Sequence, residues 1–455
     1  MLYTIKLGGS SLSDTGRFRQ AKNITLANDA RRAMVVSAPG KRDAQDNKVT
    51  DLLYLCHAHL KYGVGCEALL DEIGQRYRGI AEGVGLSVDL ERELCQIRAD
   101  IKAGAGEDYL VSRGEYLCAK LMAEYLGWDF VDARGAIFFA ADGGIEMEKT
   151  YKALKNAFCM ATSGKIVVPG FYGAMPGGEI KLMSRGGSDI TGALVAAALD
   201  ADLYENWTDV PGLLTADPNI VENPLPIPKI TYGELNALAH MGARVLHEES
   251  VFPVREKNIP IKIKSACQPE EEGTLIQERF EGKAAGPNYF ITGLAGKKDY
   301  SIISIKPNSA KGSMKAARKI LEVFENFGIK VESALLRADG FSLVAATEDI
   351  KPFVYGALAE AEKLCGPGSM TVHDGMALVA AVGRDMTCLK GGAGRLFSAL
   401  GENGVNIRLI TQSIDQLSLT IGVLREDFEK TMKVLYKCLV CGMEYMEEYS
   451  LDEKV

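Results

Sequence analysis

At 455 residues, with 47% hydrophobic content and 48 glycines, the chain is too long for one ordinary domain and too apolar to be disordered, so two or three packed α/β domains with tight loops are expected. The net charge of −8 and the lack of any run of five basic residues exclude nucleic acid and anionic membrane surfaces as natural partners. There is no apolar stretch of about 18 residues and no signal-like N-terminus, and the ten cysteines form no disulfide framework, so a soluble cytoplasmic protein with reduced thiols is expected.

The first element is the strand-like run LYTIKL, which ends in Lys6-Leu7-Gly8-Gly9-Ser10-Ser11 ahead of an amphipathic stretch at 15–29. A strand, glycines, hydroxyls and a helix in that order make a phosphate-cradling loop, with Lys6 aimed from the strand end as a point charge. Strand-like runs at 33–37, 128–131, 165–169, 202–206 and 261–264 then alternate with helical periodicity at 49–61, 65–81, 107–126, 146–161 and 189–199. Residues 1–265 should therefore build a mostly parallel sheet sandwiched by helices. Neither GxxxxGK[ST] nor a GxGxxG after a strand occurs, so the common nucleotide fingerprints are absent.

Within the 107–126 stretch stands Ser112-Arg113-Gly114-Glu115, where Glu115 reads either as a helix-face carboxylate or as a site acid. The densest chemistry follows in Ser184-Arg185-Gly186-Gly187-Ser188-Asp189-Ile190-Thr191-Gly192, which runs into ALVAAALDA. A fixed cation, paired glycines and a Ser-Asp cap opening a helix form an anion seat; taken alone, a capped surface helix reads equally well. Next, Trp207 to Pro218 supplies Thr208, Asp209, Thr215 and Asp217 around a Pro-Gly turn, either as neighbours for Mg²⁺ or as ordinary turn residues.

The stretch 267–288, rich in charge, glycine and proline, reads as a linker with a domain boundary near its end. Beyond it a shift of 76 residues aligns IISIK (302–306) with LVAAV (378–382), ILEVFENFGIKVES (320–333) with LFSALGENGVNIRL (396–409), and DGFSLVAAT (339–347) with DQLSLTIGV (415–423). Each copy reads strand, helix, glycine turn, strand, strand, helix. A four-stranded sheet with two helices on one face cannot bury both faces alone, so the copies should pack together, within or between chains. Cys438-Leu439-Val440-Cys441 has a redox or zinc spacing, but nothing completes it, and it reads as the apolar end of a helix.

Together KLGGSS (6–11), VVSAPGKRD (35–43), VTDLL (49–53), SRGE (112–115), VVPGFYGA (167–174), SRGGSDITGALVAAAL (184–199), WTDVPGLLTADP (207–218) and MGARVLH (241–247) resemble the aspartokinases of the amino acid kinase family, and the repeat resembles tandem ACT domains. The resemblance covers nearly the whole chain and implies a kinase domain at 1–285, a first ACT domain at 290–375 and a second at 376–455, whose C-terminal strand could return to the first. It implies ATP and Mg²⁺ as cofactors, L-aspartate as acceptor, and the first step of lysine, threonine and methionine biosynthesis. Feedback by lysine, or by threonine, and a homodimer or higher oligomer through the ACT domains are implied as well.

If the acceptor is aspartate, its side-chain carboxylate is already ionised and needs no general base, so catalysis reduces to aligning two anions and neutralising their repulsion. The resemblance makes Lys6 and Asp189 catalytic. It sets Thr50, Glu115, Arg185 and Ser188 on aspartate, with the Arg185 fork suiting the α-carboxylate and Glu115 the α-ammonium. Lys6, Gly8, Gly9, Ser10, Thr208, Asp209, Leu214, Asp217, Arg244 and Val245 would contact the nucleotide, with no protein metal ligands. Ser313, Met314, Lys330 and Glu332 would hold the effector, after the loop Asn308–Gly312. Leu214, Asn219 and Arg244 stand where the family commonly has tyrosine, arginine and lysine, a loss of about 1–3 kcal/mol in ATP contacts. Two other readings stay open: a non-catalytic amino-acid sensor, and a kinase for another carboxylate such as glutamate.

Overall fold

The computed structural model describes all residues except 87–88, 185, 244–245, 247, 281–290, 307–312, 338, 366–369, 388–390 and 450–455. They fall into two compact units, one of Met1–Leu213, Pro226–Tyr232 and Val245–Gly282, the other of Leu214–Leu225, Gly233–Arg244 and Lys283–Val455.

In the first unit β1 (Tyr3–Leu7), β2 (Arg31–Val36), β3 (Asp129–Phe130), β4 (Ile166–Pro169), β7 (Leu203–Thr208), β8 (Lys229–Thr231), β9 (Ile261–Ser265) and β10 (Thr274–Gln277) form one sheet in the order β3-β4-β2-β1-β7-β9-β10-β8. A hairpin of β5 (Tyr172–Ala174) and β6 (Ile180–Leu182) stands apart from it. Every pair in the large sheet is parallel except β9 with β10. Around it run α1 (Thr15–Leu26), α2 (Val49–Lys61), α3 (Glu67–Gly83), α4 (Leu90–Lys102), α5 (Glu107–Leu126), α6 (Met147–Met160), α7 (Gly187–Ala198), the start of α8 (Tyr232–His240), and α9 (Glu248–Glu256).

The alternation of β2 shows how the layers form. Met34 and Val36 enter one core with Phe18, Leu53 and Met122, while Ala33 and Val35 enter another with Leu154, Leu194 and Val195. A parallel sheet buried on both faces needs a continuous apolar run, which Ala33–Val36 of β2 and the IVVP of β4 provide. The loops that leave β1, β2, β4 and β7 thus emerge together at the carboxyl ends of neighbouring strands, where open α/β sheets bind ligands.

Two expectations change here. The stretch 267–288 is not wholly linker, because Thr274–Gln277 is strand β10, with Thr274 and Ile276 buried among flanking charges. α4 was not foreseen, although Leu90, Leu94 and Ile97 recur at helical spacing behind an Asp89 cap whose carboxylate accepts from Arg92 N–H.

The second unit contains β11 (Gly293–Ile305), β12 (Val331–Leu336), β13 (Phe341–Ala346), β14 (Met370–Val382), β15 (Leu409–Gln412) and β16 (Ser418–Leu424) in one sheet, ordered β12-β13-β11-β14-β16-β15. Its helices are α10 (Ser313–Asn326), α11 (Thr347–Ile350), α12 (Val354–Cys365), α13 (Gly392–Glu402) and α14 (Phe428–Tyr449). The repeat is visible in the pairing, since Tyr300 faces Met376, its own counterpart 76 residues on, across the central β11–β14 ladder. Each copy has its expected four strands because the two long central strands are shared: Tyr300–Ile305 of β11 and Met370–His373 of β14 lie with β13 and β12, and Gly293–Lys298 of β11 and Met376–Val382 of β14 lie with β16 and β15. Helix α14 runs through Cys438, and the last six residues, 450–455, where a returning strand would have to lie, are outside the described residues. No helix among the described residues is long and apolar enough to cross a membrane.

Candidate active site

A cleft of about 1060 Å³ opens at the carboxyl ends of the first unit's central strands. It gathers Lys6, Gly8, Gly9, Ser10, Thr50, Glu115, Ser188, Asp189, Thr208 and Asp209, ten of the residues singled out in the sequence, from loops and helices as far apart in the chain as 6 and 209.

Lys6 sits at the buried end of β1, and its Nζ stands 2.7 Å from Asp189 Oδ1 in the first turn of α7. The Ser-Asp pair does not cap that helix. Gly186, at φ 84°, occupies the cap position without a side-chain cap bond, and Asp189 instead neutralises Lys6. The amides of Asp189 and Ile190 both donate to Gly186 O, at 2.8 and 3.1 Å, which leaves those of Gly187 and Ser188 as the first-turn amides without an acceptor among the described residues.

The β1 loop is shaped by backbone packing. A Cβ on Gly9 would meet Ala38 O at 2.6 Å, and Gly40 N–H donates to Gly9 O at 2.8 Å, so the loops after β1 and β2 lie backbone against backbone. The Gly8 amide is committed to Trp207 O at 3.1 Å, so the amides of Gly9 and Ser10, opening a short 3₁₀ turn, are the ones that can face an anion.

Glu115 lies on α5, only 3% exposed. Its Oε1 accepts from Ala38 N–H at 3.1 Å, while among the described residues Oε2 has no hydrogen-bond partner. Burial pushes this carboxyl up to about 7, against the pull of the Ala38 N–H. A buried acid with one unmet oxygen facing a cleft is a seat for a cation. α5 can approach this closely because position 114 is glycine, where a Cβ would meet that of Ala38 at 2.9 Å. Arg113 does not face the cleft chemistry; it stacks on Tyr109, Tyr116 and Tyr172 and fixes the helix.

The loop between β2 and α2 is also held firmly. Asp46 receives Arg42 Nε at 2.9 Å and Arg76 Nη2 at 2.7 Å, and these contacts, Arg42 first, hold its carboxyl well below the ordinary range. Through this clamp Gly40, Lys41 and Lys48 line the cleft beside Thr50. Sequence reading missed these residues and Asp51, Tyr54, Phe171 and Met183, which also line it. It missed Asn206 too, which lies beneath Lys6 and Asp189.

Leu214 and Asp217 belong to the Leu214–Leu225 segment of the second unit, and Asp217 accepts from the backbone and side-chain amides of Asn219 at 2.9 and 2.8 Å, a turn-forming role. Arg185, Arg244, Val245 and the loop Asn308–Gly312 lie outside the described residues. Among the described residues no three carboxylate, imidazole or thiol groups stand together as a metal site.

The second unit has its own polar cleft of about 580 Å³, lined by Lys297, Tyr300, Lys330, Glu332, Glu348 and Asp349 among others. The Glu332 side chain is 10% exposed, so it does not face solvent from an outer strand. His240 Nε2 stands 2.7 Å from Glu332 Oε1 without hydrogen-bond alignment; Lys297 Nζ is 3.8 Å away and Tyr300 OH donates to Oε2 at 3.4 Å. Ser313 and Met314 open α10, and Met314 is largely exposed. The helix bearing His240 is anchored to the same unit at its other end, where buried Glu234 accepts from Arg384 Nη1 at 2.9 Å and from Thr292 Oγ1.

Residues 1–265 match the model of the amino acid kinase family, and 379–439 match that of the ACT domain. Aspartokinase 3 of Bacillus subtilis is 30% identical over 96% of this chain and 99% of its own length. Among solved structures, the aspartate kinase of Clostridium acetobutylicum is 41% identical with a TM-score of 0.88, covering 96% of this chain and 99% of that one. E. coli aspartokinase III in complex with aspartate and ADP is 25% identical with a TM-score of 0.73, over 97% and 100% of the two chains. The same enzyme with lysine and aspartate, in its T-state, gives 26% and 0.71, over 96% and 99%.

Proposed function

The chain belongs to the amino acid kinase family, in its aspartokinase branch, and we propose that it transfers the γ-phosphoryl group of ATP to the side-chain carboxylate of L-aspartate, giving 4-phospho-L-aspartate and ADP. The observation that carries this reading is Glu115, a buried carboxylate with an unmet oxygen in the same cleft as the Lys6–Asp189 pair.

The aspartate α-ammonium would sit against Glu115, with Thr50 and Ser188 beside it and Arg185 taking the α-carboxylate. A carboxylate oxygen of the substrate then attacks the γ-phosphorus as the bond to the β,γ-bridging oxygen breaks, and the electron pair leaves with ADP. No proton need be removed from the nucleophile. Lys6 and the amides of Gly9, Ser10 and the opening of α7 spread positive potential where the transferring group gains charge. Thr208 and Asp209, which line the cleft at the end of β7, would meet the nucleotide. Mg²⁺ would be carried in on the phosphates, where it would neutralise their charge.

Feedback would act through the second unit, with Glu332 receiving the amine of lysine, or of threonine as second choice. Assembly into a homodimer is supported by the two edge strands of the six-stranded sheet, β12 and β15, which would otherwise expose a ladder. The setting would be the cytoplasm.

Incubating the protein with Mg·ATP, hydroxylamine and a panel of aspartate, glutamate and N-acetylglutamate tests the reading. Aspartate-dependent ADP release with formation of the hydroxamate is expected. Preference for glutamate or its acetyl derivative would overturn the substrate, and no turnover with any acceptor would favour a sensor.

A further inference from the structure

Asn206 is a buried amide, 4% exposed, next to the buried Glu205 in β7, and a side chain of that kind is stable only with partners on both its donor and its acceptor. β1 and β7 are parallel neighbours in which Lys6 is in register with Asn206, so the two side chains leave the same face of the sheet. The amide bridges the ion pair above it. Asn206 Nδ2 donates to Asp189 Oδ1 at 2.8 Å, and Asn206 Oδ1 accepts from Lys6 Nζ at 3.5 Å. Asp189 Oδ1 thus accepts a hydrogen bond from the amide while the ammonium stands 2.7 Å away as its ion-pair partner.

We infer that Asn206 is a positioning residue for phosphoryl transfer, a neutral clamp that holds the Lys6 ammonium and the Asp189 carboxylate at fixed places before substrate arrives. The inference rests on the reading of Lys6 as the charge that meets the transferring group. A neutral amide suits the task because it satisfies the cation and the anion at once without altering the site's net charge. A carboxylate there would compete for Lys6 and repel Asp189, and a hydrocarbon would leave both free to swing. Electrostatic stabilisation of a transition state depends on groups that need not reorganise, so loosening the pair should lower kcat and spare substrate binding.

The test is a double-mutant cycle with full-length protein, assayed with Mg·ATP and saturating aspartate. Asn206→Leu, of similar size, should lower kcat by about tenfold to fiftyfold while KM for aspartate stays within about twofold. In a Lys6→Met background the same change should alter kcat by less than about twofold, because its effect passes through Lys6. An equal loss in both backgrounds, or an unchanged kcat in Asn206→Leu, overturns the inference. Should that variant fold poorly, Asn206→Asp keeps the shape. Two carboxylates in contact raise the pKa of one of them, so its kcat should recover as pH is lowered from 8 to 6, at least fivefold relative to wild type. A wild-type pH profile overturns the inference. An inactive Lys6→Met beside a fully active Asn206→Leu removes only Asn206, whereas a fully active Lys6→Met removes the role of Lys6 itself.

Discussion

Glu115 in the kinase unit and Glu332 in the repeat unit are proposed for the same task, receiving an amino acid's ammonium group, and their surroundings differ in opposite ways. Glu115 has one oxygen held by a backbone amide and the other unpartnered among the described residues, so an arriving cation relieves a desolvation penalty already present. Glu332 is already surrounded by His240, Lys297 and Tyr300, so an arriving amine must compete. A site that must turn over gains from readiness. A site that must report concentration gains from a contact that the ligand displaces, because only a difference between bound and free arrangements can be transmitted.

The sharpest way to break the comparison is to remove the charge each side depends on. Lys6→Met should lower kcat by about a thousandfold with a smaller change in KM for aspartate, as expected when a charge acts mainly on the transition state. Steady-state kinetics check this, and a raised KM for ATP alone would reduce Lys6 to a phosphate anchor. Glu115→Gln should lower kcat/KM for aspartate by about a hundredfold, the cost of losing a buried charge-assisted contact, with ATP binding largely kept.

Acidity sharpens the contrast further. With the free-enzyme carboxyl of Glu115 at about 7, kcat/KM for aspartate should fall about tenfold per pH unit below 7, and Glu115→Gln should lack that limb. The stability effect has the opposite sign. A carboxyl raised from 4.5 in the unfolded chain to about 7 in the fold stabilises it fully below 4.5 and loses that contribution as pH rises through 7. Thermal unfolding across pH 4 to 8 should show this decline in wild type and a weaker one in Glu115→Gln.

On the regulatory side the expected effects are smaller. Glu332→Ala should raise the half-inhibitory lysine concentration at least tenfold with little change in uninhibited kcat. His240→Ala removes the competing contact and should lower that concentration by about threefold. Inhibition curves check both, and equal shifts in the same direction would show that His240 helps to bind the effector and does not compete with it.

How far the sequence revealed the site depended on the kind of signal. Lys6, Glu115 and Asp189 stood beside glycines, and such loops advertise that backbone must come close to something. Asn206 carried no such sign, because a single amide in the strand LYENWT gains meaning only when β1 places Lys6 beside it. The contact of His240 with Glu332 joins residues 92 positions apart in no shared motif. The fold showed the same division. Alternating strands and helices and the 76-residue repeat were legible, while β10 was hidden because its four residues sit among charges and glycines typical of a linker.

The most direct measurement is the proton balance of aspartate binding, obtained by titration calorimetry near pH 7 in two buffers of different ionisation enthalpy. If Glu115 waits half-protonated and is ionised by the arriving ammonium, about half a proton should be released per aspartate bound by wild type and none by Glu115→Gln. Release of no proton by wild type, or the same release by both proteins, would contradict the account.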